Sequence, residues 1–301
     1  MDGIDEFGFQ WHITGACPGR CLHCYQSGSD DVAAELPANE LKRIADCIMS
    51  AVRGPVTVNI TGGEPLMYQR RGRSRGVFDL MSHLSTFNNL DELNIITSTH
   101  VMDSEDIDNL KALPKLTFVK VSLESNDQGI NDGIRGLGHF RMAADNIVKL
   151  TAAGLQVIIM ATLSKRNYES AAGLCALAGD LGTQGVIFER FVPLGCGNKM
   201  QNSVLTSSEW QEVLAAIANV AGVSADDLRP YKAFHVGKAE ISGAPCCLGP
   251  ASMALMPDGT VYPCRRVPAP AGKLPDDGME RILGVLSGYS STPQKCFDFG
   301  F

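Results

Sequence analysis

Six short stretches, FQWHIT (9–14), VTVNIT (56–61), LNIITS (93–98), TFVKVSLE (117–124), QVIIMATL (156–163) and GVIFERFV (185–192), are apolar and rich in β-branched residues. Near-continuous apolar character over so few residues marks strands buried on both faces. Between them lie stripes of helical period: Leu41, Ile44, Ala45, Ile48, Met49 and Val52, then Phe140, Ala143, Ala144, Ile147 and Val148. Pro37 stands where a first-turn proline is tolerated. Strand and helix alternating six times predict a parallel sheet with right-handed crossovers. Six units are too few for the eight-stranded barrel and too regular for a two-half dinucleotide fold. The pattern predicts an α/β domain, a three-quarter barrel, over residues 1–195.

After Pro193 the texture changes. Residues 196–239 read as a bridging loop and one amphipathic helix (207–221) through Trp210, Val213, Leu214, Ile217 and Val220. Residues 240–301 are rich in Gly, Pro and Cys, and MALMPDGTVYPC reads as a β-hairpin with Pro257-Asp258-Gly259 at its turn. So small a module has too little apolar surface for a core of its own, so a metal is expected to staple it.

Composition excludes several classes. The opening MDGIDEFGFQ carries three acids and no Lys or Arg, which fits neither a signal nor a transit peptide. No run approaches the roughly twenty apolar residues of a membrane span, so the reading is a soluble cytoplasmic protein without a membrane partner. A net charge of -7 gives no footprint for nucleic acid. In a reducing compartment ten cysteines are not a disulfide framework, and their uneven placement asks for a metal.

Cys17, Cys21 and Cys24 are spaced C-x3-C-x2-C in the loop after the first strand. In parallel α/β architectures the loops at strand carboxyl ends build the active site. Zinc prefers four ligands, commonly as two separated pairs; three thiolates on one loop suit an iron–sulfur cluster with one iron left open. A chance cluster and a zinc knuckle with a remote fourth ligand are the alternatives. After the second strand comes TGGEP, residues 61–65. Its double glycine lets the backbone approach a ligand closely, Glu64 offers an acceptor for an ammonium group, and Pro65 fixes the exit.

These two motifs in this order, with Tyr25 after Cys24, resemble the radical SAM superfamily over residues 9 to about 195. The resemblance implies a partial (β/α)6 TIM barrel in which Cys17, Cys21 and Cys24 hold a [4Fe-4S] cluster that binds S-adenosylmethionine. It implies that Gly62, Gly63 and Glu64 hold the methionine end, that Ser122 and Glu124 touch the ribose or methionyl part, and that Arg135 lies in the family's RG-containing segment. At the third strand the family often has TNG where this chain has Thr97-Ser98-Thr99.

Cys246, Cys247, Cys264 and Cys296 form a second group. With Gly259 preceding Cys264 by G-x4-C, this region resembles the twitch, or half-SPASM, module of radical SAM peptide maturases. That resemblance implies one auxiliary iron–sulfur cluster, of the [4Fe-4S] kind, on Cys247, Cys264 and Cys296. Cys246 stands as the open fourth ligand, since neighbouring Cβ vectors diverge in extended chain. A zinc-ribbon-like staple is the alternative. Cys47 and Cys175 fall in helical patterns and read as packing residues. Cys196, after the sixth strand, is either a hydrogen-atom donor or a loop filler. Arg70, Arg71, Arg73 and Arg75 read as a solvated loop or as a dock for an acidic peptide. His12 and His23 read as packing or hydrogen-bonding residues.

The resemblance implies an enzyme that reductively cleaves S-adenosylmethionine to a 5′-deoxyadenosyl radical. That radical would abstract a hydrogen atom from a ribosomally synthesised precursor peptide, installing a thioether or carbon–carbon crosslink or another modification. Its electron would come from a flavodoxin- or ferredoxin-type reductant. Strand one starts near residue 9, which leaves no room for a leader-recognition domain, so a separate leader-binding partner is expected. The rivals are small-molecule cofactor biosynthesis, such as molybdopterin-type GTP cyclisation or tetrapyrrole modification, and a non-catalytic iron–sulfur sensor or electron carrier.

Overall fold

The computed structural model describes residues 6–26, 35–70, 76–238, 240–244, 246–267 and 269–290. Each predicted strand forms and is followed by helix: β1 (Phe7–His12), α1 (Ala38–Ala51), β2 (Val56–Thr61), α2 (Gly76–Leu84), β3 (Leu90–Thr97), α3 (Ser104–Ala112), β4 (Leu116–Ser122), α4 (Gln128–Arg135), α5 (His139–Ala152), β5 (Val157–Leu163), α6 (Ala171–Asp180), β6 (Gly185–Arg190) and α7 (Ser207–Ala221). After these come α8 (Ala225–Leu228), β7 (Ala233–Gly237), β8 (Ile241–Ala244), β9 (Ser252–Leu255), β10 (Thr260–Tyr262), β11 (Gly272–Lys273) and α9 (Met279–Leu286). β1 to β6 are parallel in chain order within one open sheet, β11-β10-β9-β1-β2-β3-β4-β5-β6-β7-β8.

Alternation along each strand separates two environments. Phe7, Phe9 and Trp11 of β1 and Val56, Val58 and Ile60 of β2 belong to the buried core shared with Leu41, Ile44 and Ile48 of α1. The opposite positions, Gln10, Asn59, Asn94 and Lys120, give the concave side a polar lining that the apolar runs conceal. There Lys120 Nζ donates to Asn59 Oδ1 at 2.7 Å and Asn94 Nδ2 to the same oxygen at 3.3 Å.

The bridging helix α7 begins at a capping box of Thr206 and Glu209 and stops at Gly222, whose φ of 68° is left-handed. The boundary expected at 239/240 falls between β7 and β8, two strands of one hairpin added to β6. The short, half-polar AFHVG gives little strand signal in the sequence. The β9–β10 hairpin forms with Asp258 accepting from Thr260 N–H at 3.0 Å and Gly259 at φ 87°. It joins the same sheet, with β9 parallel to β1 from Gly8–Ser252 to Trp11–Leu255. Met253, Leu255, Val261 and Ile282 therefore share the barrel's core, which supplies the apolar burial the module lacks by itself. No helix among the described residues is long and apolar enough to cross a membrane.

Candidate functional site

The carboxyl ends of the parallel strands open into one pocket of about 1100 Å³, its mouth included. Cys17, Cys21 and Cys24 line one side, Gly62 and Gly63 a second, and Ser122, Met160 and Thr162 of β4 and β5 the concave floor. Glu189, Arg190, Arg265 and Arg266 form the far wall. The strand-end location expected from topology is thus occupied by the residues the two motifs single out.

The two glycines are needed for a reason other than ligand approach. Gly63 N–H donates to Thr14 C=O and Glu64 N–H to Ala16 C=O, both at 2.7 Å. A Cβ on Gly62 would lie 2.6 Å from the Thr14 oxygen, and one on Gly63 2.2 Å from the Ala16 oxygen. The glycines dock the second strand's loop onto the backbone that leads into the cysteines, so the two motifs are one structural unit.

Glu64 is fully buried, and its carboxylate is turned to the end of β3. It accepts from Thr97 Oγ1 at 2.7 Å, Ser98 N–H at 2.8 Å, Ser98 Oγ at 2.5 Å and Leu66 N–H at 3.3 Å. Burial pushes its pKa up, opposed by the Ser98 and Thr97 hydrogen bonds. Both oxygens are engaged within the chain, and these bonds make the carboxylate a strut between β2 and β3. Thr97-Ser98-Thr99, where the expected triplet is altered, supplies the donors.

A second buried carboxylate organises the other side of the cysteine loop. Glu124, with no exposed side-chain surface, pairs with Arg135 through Nε at 2.7 Å and Nη2 at 2.6 Å, lies 3.3 Å from His23 Nε2, and accepts from Thr162 N–H at 2.7 Å. Burial alone would raise its pKa, but the Arg135 charge, His23 and the Thr162 N–H outweigh it and hold the carboxyl at about 2. Arg135 Nη1 also points at Cys21 Sγ, 3.7 Å away. The carboxylate partner of His23 was invisible locally because Glu124 comes from β4's far end.

Burial pushes the Cys17 thiol up to about 11, and Cys24 is raised by the same cause. Cys196 lies on the cluster loop's exit: its N–H donates to Gln26 C=O, and Gly197 N–H to Cys24 C=O, both at 3.0 Å. It is absent from the pocket lining. Cys47 and Cys175 are half-buried against the core. Arg70 is held by Asp103 at 2.7 Å and Asp106 at 2.8 Å; Arg71, Arg73 and Arg75 lie outside the described residues.

In the second cysteine group Lys232 Nζ donates to Cys247 Sγ at 3.3 Å and acts electrostatically on Cys264. Cys246 is half-buried, and Cys296 lies outside the described residues. Arg265, next to Cys264, reaches back to the first group. It pairs with Glu189 of β6, and its guanidinium stands 4.8 Å over the Tyr25 ring. The Tyr25 hydroxyl lies 3.2 Å from the His12 ring nitrogens, and Gln26 Nε2 bonds His12 Nδ1 at 2.9 Å. Burial and the Arg265 charge push His12 down to about 3, so it is a neutral hydrogen-bonding residue as expected. Glu189, Arg265 and Lys232 escaped the sequence reading; the YPCRR string was the one local signal.

Similarity to known proteins agrees with this geometry. The chain is 22% identical over 271 residues to the antilisterial bacteriocin subtilosin biosynthesis protein AlbA of Bacillus subtilis, covering 88% of this chain and 57% of that protein. It is 26% identical over 211 residues to the Fe-coproporphyrin III synthase of Methanosarcina barkeri, covering 69% of this chain and 49% of that one. The chain thus spans about half the length of these relatives. The crystal structure of Streptococcus suis SuiB bound to precursor peptide SuiA superposes with a TM-score of 0.64 at 15% identity, over 97% of this chain and 69% of that chain. A family model described as the radical SAM superfamily matches residues 11–178, more than half of the chain. By that match, the chain belongs to the radical SAM superfamily.

Proposed function

We propose that the chain is a radical SAM enzyme acting on a ribosomally synthesised peptide, with the pocket at the strand ends as its reaction chamber. The observation that carries the chemistry is the convergence on one pocket of three cysteines, the Gly62-Gly63 loop and the polar ends of β3 to β5.

The residues present fit the superfamily's [4Fe-4S] cluster and S-adenosylmethionine. Cys17, Cys21 and Cys24 all line this pocket, and three thiolates on one loop suit an iron–sulfur cluster. A Cβ at Gly19 would sit 3.5 Å from Cys17 Sγ and 3.6 Å from Cys21 Sγ, so glycine keeps the space between two ligands open. Bound there, the cluster and S-adenosylmethionine would supply the hydrogen-abstracting radical chemistry, one electron being delivered from outside.

In this reading Arg135 donates to the Cys21 sulfur while Glu124 fixes its guanidinium, and Gly62, Gly63 and Ser122 of the pocket lining receive the methionyl end, with Glu64 bracing the glycine loop against β3. Cys247, Cys264 and Cys296 hold one auxiliary cluster beside Lys232, with Cys246 next to the open fourth position. Cys196 packs the exit of the cysteine loop. The six parallel strands with their helices act as the barrel, α7 with the β7–β8 hairpin as the bridge, and the cysteine-bearing residues that follow as the auxiliary module. A flavodoxin- or ferredoxin-type protein supplies the electron, and a separate leader-binding protein assists substrate capture.

The peptide class is supported by the names of the subtilosin biosynthesis protein and of the SuiB complex with its precursor peptide. The coproporphyrin relative favours tetrapyrrole chemistry as the second reading. The test is anaerobic reconstitution with iron and sulfide, reduction, and chromatography for 5′-deoxyadenosine. Mass spectrometry of peptides co-expressed with the chain then looks for loss of hydrogen. Deoxyadenosine formation stimulated by coproporphyrins and by no peptide would transfer the assignment to the second reading.

A further inference from the structure

Strand β8 is the last strand of the sheet on the side away from β11, and among the described residues nothing pairs with its outer edge. The β7–β8 hairpin closes with Gly237 N–H donating to Glu240 C=O at 2.9 Å, and His235 stands opposite Ser242, Val236 opposite Ile241. Bonded and non-bonded pairs alternate in an antiparallel ladder. Glu240 and Ser242 therefore direct their main-chain groups to β7, and Ile241 and Gly243 present theirs to the free edge. Edge strands are commonly blunted by Pro, by Lys or by a bulge. The sequence Ile241-Ser242-Gly243-Ala244 is short but contains neither Pro nor Lys, and its register with β7 holds from Val236 to Ala233, beyond which Lys232 N–H also donates to Ala244 C=O at 3.0 Å.

Two further features fix this edge beside the reaction chamber. The Tyr231 ring lies on Gly243, where a Cβ would come within 2.0 Å of it, and stands edge-on to Phe234 of β7, so it fixes the face of the hairpin next to the core. Glu189 of the pocket wall is in register with Ala233, and Ala233 with Ala244. The end of β8 is therefore level with the pocket, about 10 Å from β6 at two inter-strand spacings. From that end the chain runs directly into Cys246 and Cys247.

We infer that the free edge of β8 docks an extended segment of the peptide substrate, which adds as a further strand and leads the adjoining residues to the pocket mouth. A row of free N–H and C=O groups recognises peptide backbone, whatever its side chains. This inference rests on the peptide reading proposed above. It assigns recognition to the barrel's own sheet.

The experiment uses the reconstituted full chain and random twelve-residue peptides selected for binding to it by display. Ile241→Pro removes an outward N–H without removing a β7 bond. Selected peptides should bind this variant about tenfold more weakly than wild type. Because proline also restricts the hairpin backbone, each peptide is also made with single N-methyl groups along its length. Affinity should fall at every second position, the fingerprint of strand pairing. Equal affinity for the variant together with no two-residue period, recovery of no binding peptide, or self-association of wild type that Ile241→Pro abolishes would each overturn the inference. Deoxyadenosine formation without peptide should be the same in both proteins. If wild type forms none, the radical SAM reading fails, while the binding data still judge the edge.

Discussion

Removing Arg135 isolates the electrostatics that hold the cysteine loop. Glu124 ionises at about 2 against an ordinary 4.5, a difference that corresponds to about 3 kcal/mol of native-state stabilisation at neutral pH. The folded pKa is the lower one, so the stabilisation is complete above about 5 and is lost as pH falls toward 2. Arg135→Met takes away the largest opposing influence on a carboxylate with no solvent contact. Breaking a buried pair by deleting one partner typically costs about 3–5 kcal/mol. Here the Thr162 N–H and His23 remain on the carboxylate, which places the expected loss near the lower bound, about 3 kcal/mol. The assay is urea unfolding of the metal-free, reduced chain, so cluster binding does not enter. Arg135→Met should lose about 3 kcal/mol at pH 7, and the deficit should shrink by about half at pH 3. Arg135→Met/Glu124→Gln should cost less than the sum of its parts. A deficit under about 1 kcal/mol at pH 7, or one that does not change with pH, refutes the reasoning.

Gly63→Ala drives a methyl group against the Ala16 carbonyl, so the reconstituted variant should retain markedly less iron on the N-terminal cysteines, measured by iron assay and visible absorption. Ser98→Ala removes the shortest bond to Glu64 and should weaken S-adenosylmethionine binding about tenfold, measured by calorimetry on the reconstituted chain, while Ser98→Thr recovers most of it. Burial pushes Lys120 down to about 8; the unfolded chain then binds the extra proton between about 8 and 10.5. Wild type should gain stability relative to Lys120→Met across that window, read from urea midpoints. Cys247→Ala should lower iron content by about one cluster and leave the S-adenosylmethionine-responsive signal in place.

What the sequence disclosed was whatever is local. Val56 to Thr61 forms a strand because its β-branched residues pack one face on α1, and the three cysteines fall within one loop, so strand and loop can be read from a few consecutive residues. Pairing across the sheet is different. His23 finds its carboxylate just past β4, Tyr25 lies under Arg265 from the far end of the chain, and Lys232 acts electrostatically on Glu189 only because β7 folds back on β6. No periodicity encodes such contacts. The double glycine illustrates an intermediate case: its spacing signalled close approach, but the approached group is the Thr14-Gly15-Ala16 backbone. β7 gives little signal because its alternation of Phe234 and Val236 with His235 spans too few residues to stand out from loop.

The central claim is tested most directly by electron paramagnetic resonance of the anaerobically reconstituted and reduced chain, with and without S-adenosylmethionine. The account predicts a [4Fe-4S] signal that depends on Cys17, Cys21 and Cys24 and whose line shape changes when S-adenosylmethionine is added. A reconstituted protein that retains zinc in place of iron, or an iron signal indifferent to S-adenosylmethionine, contradicts it.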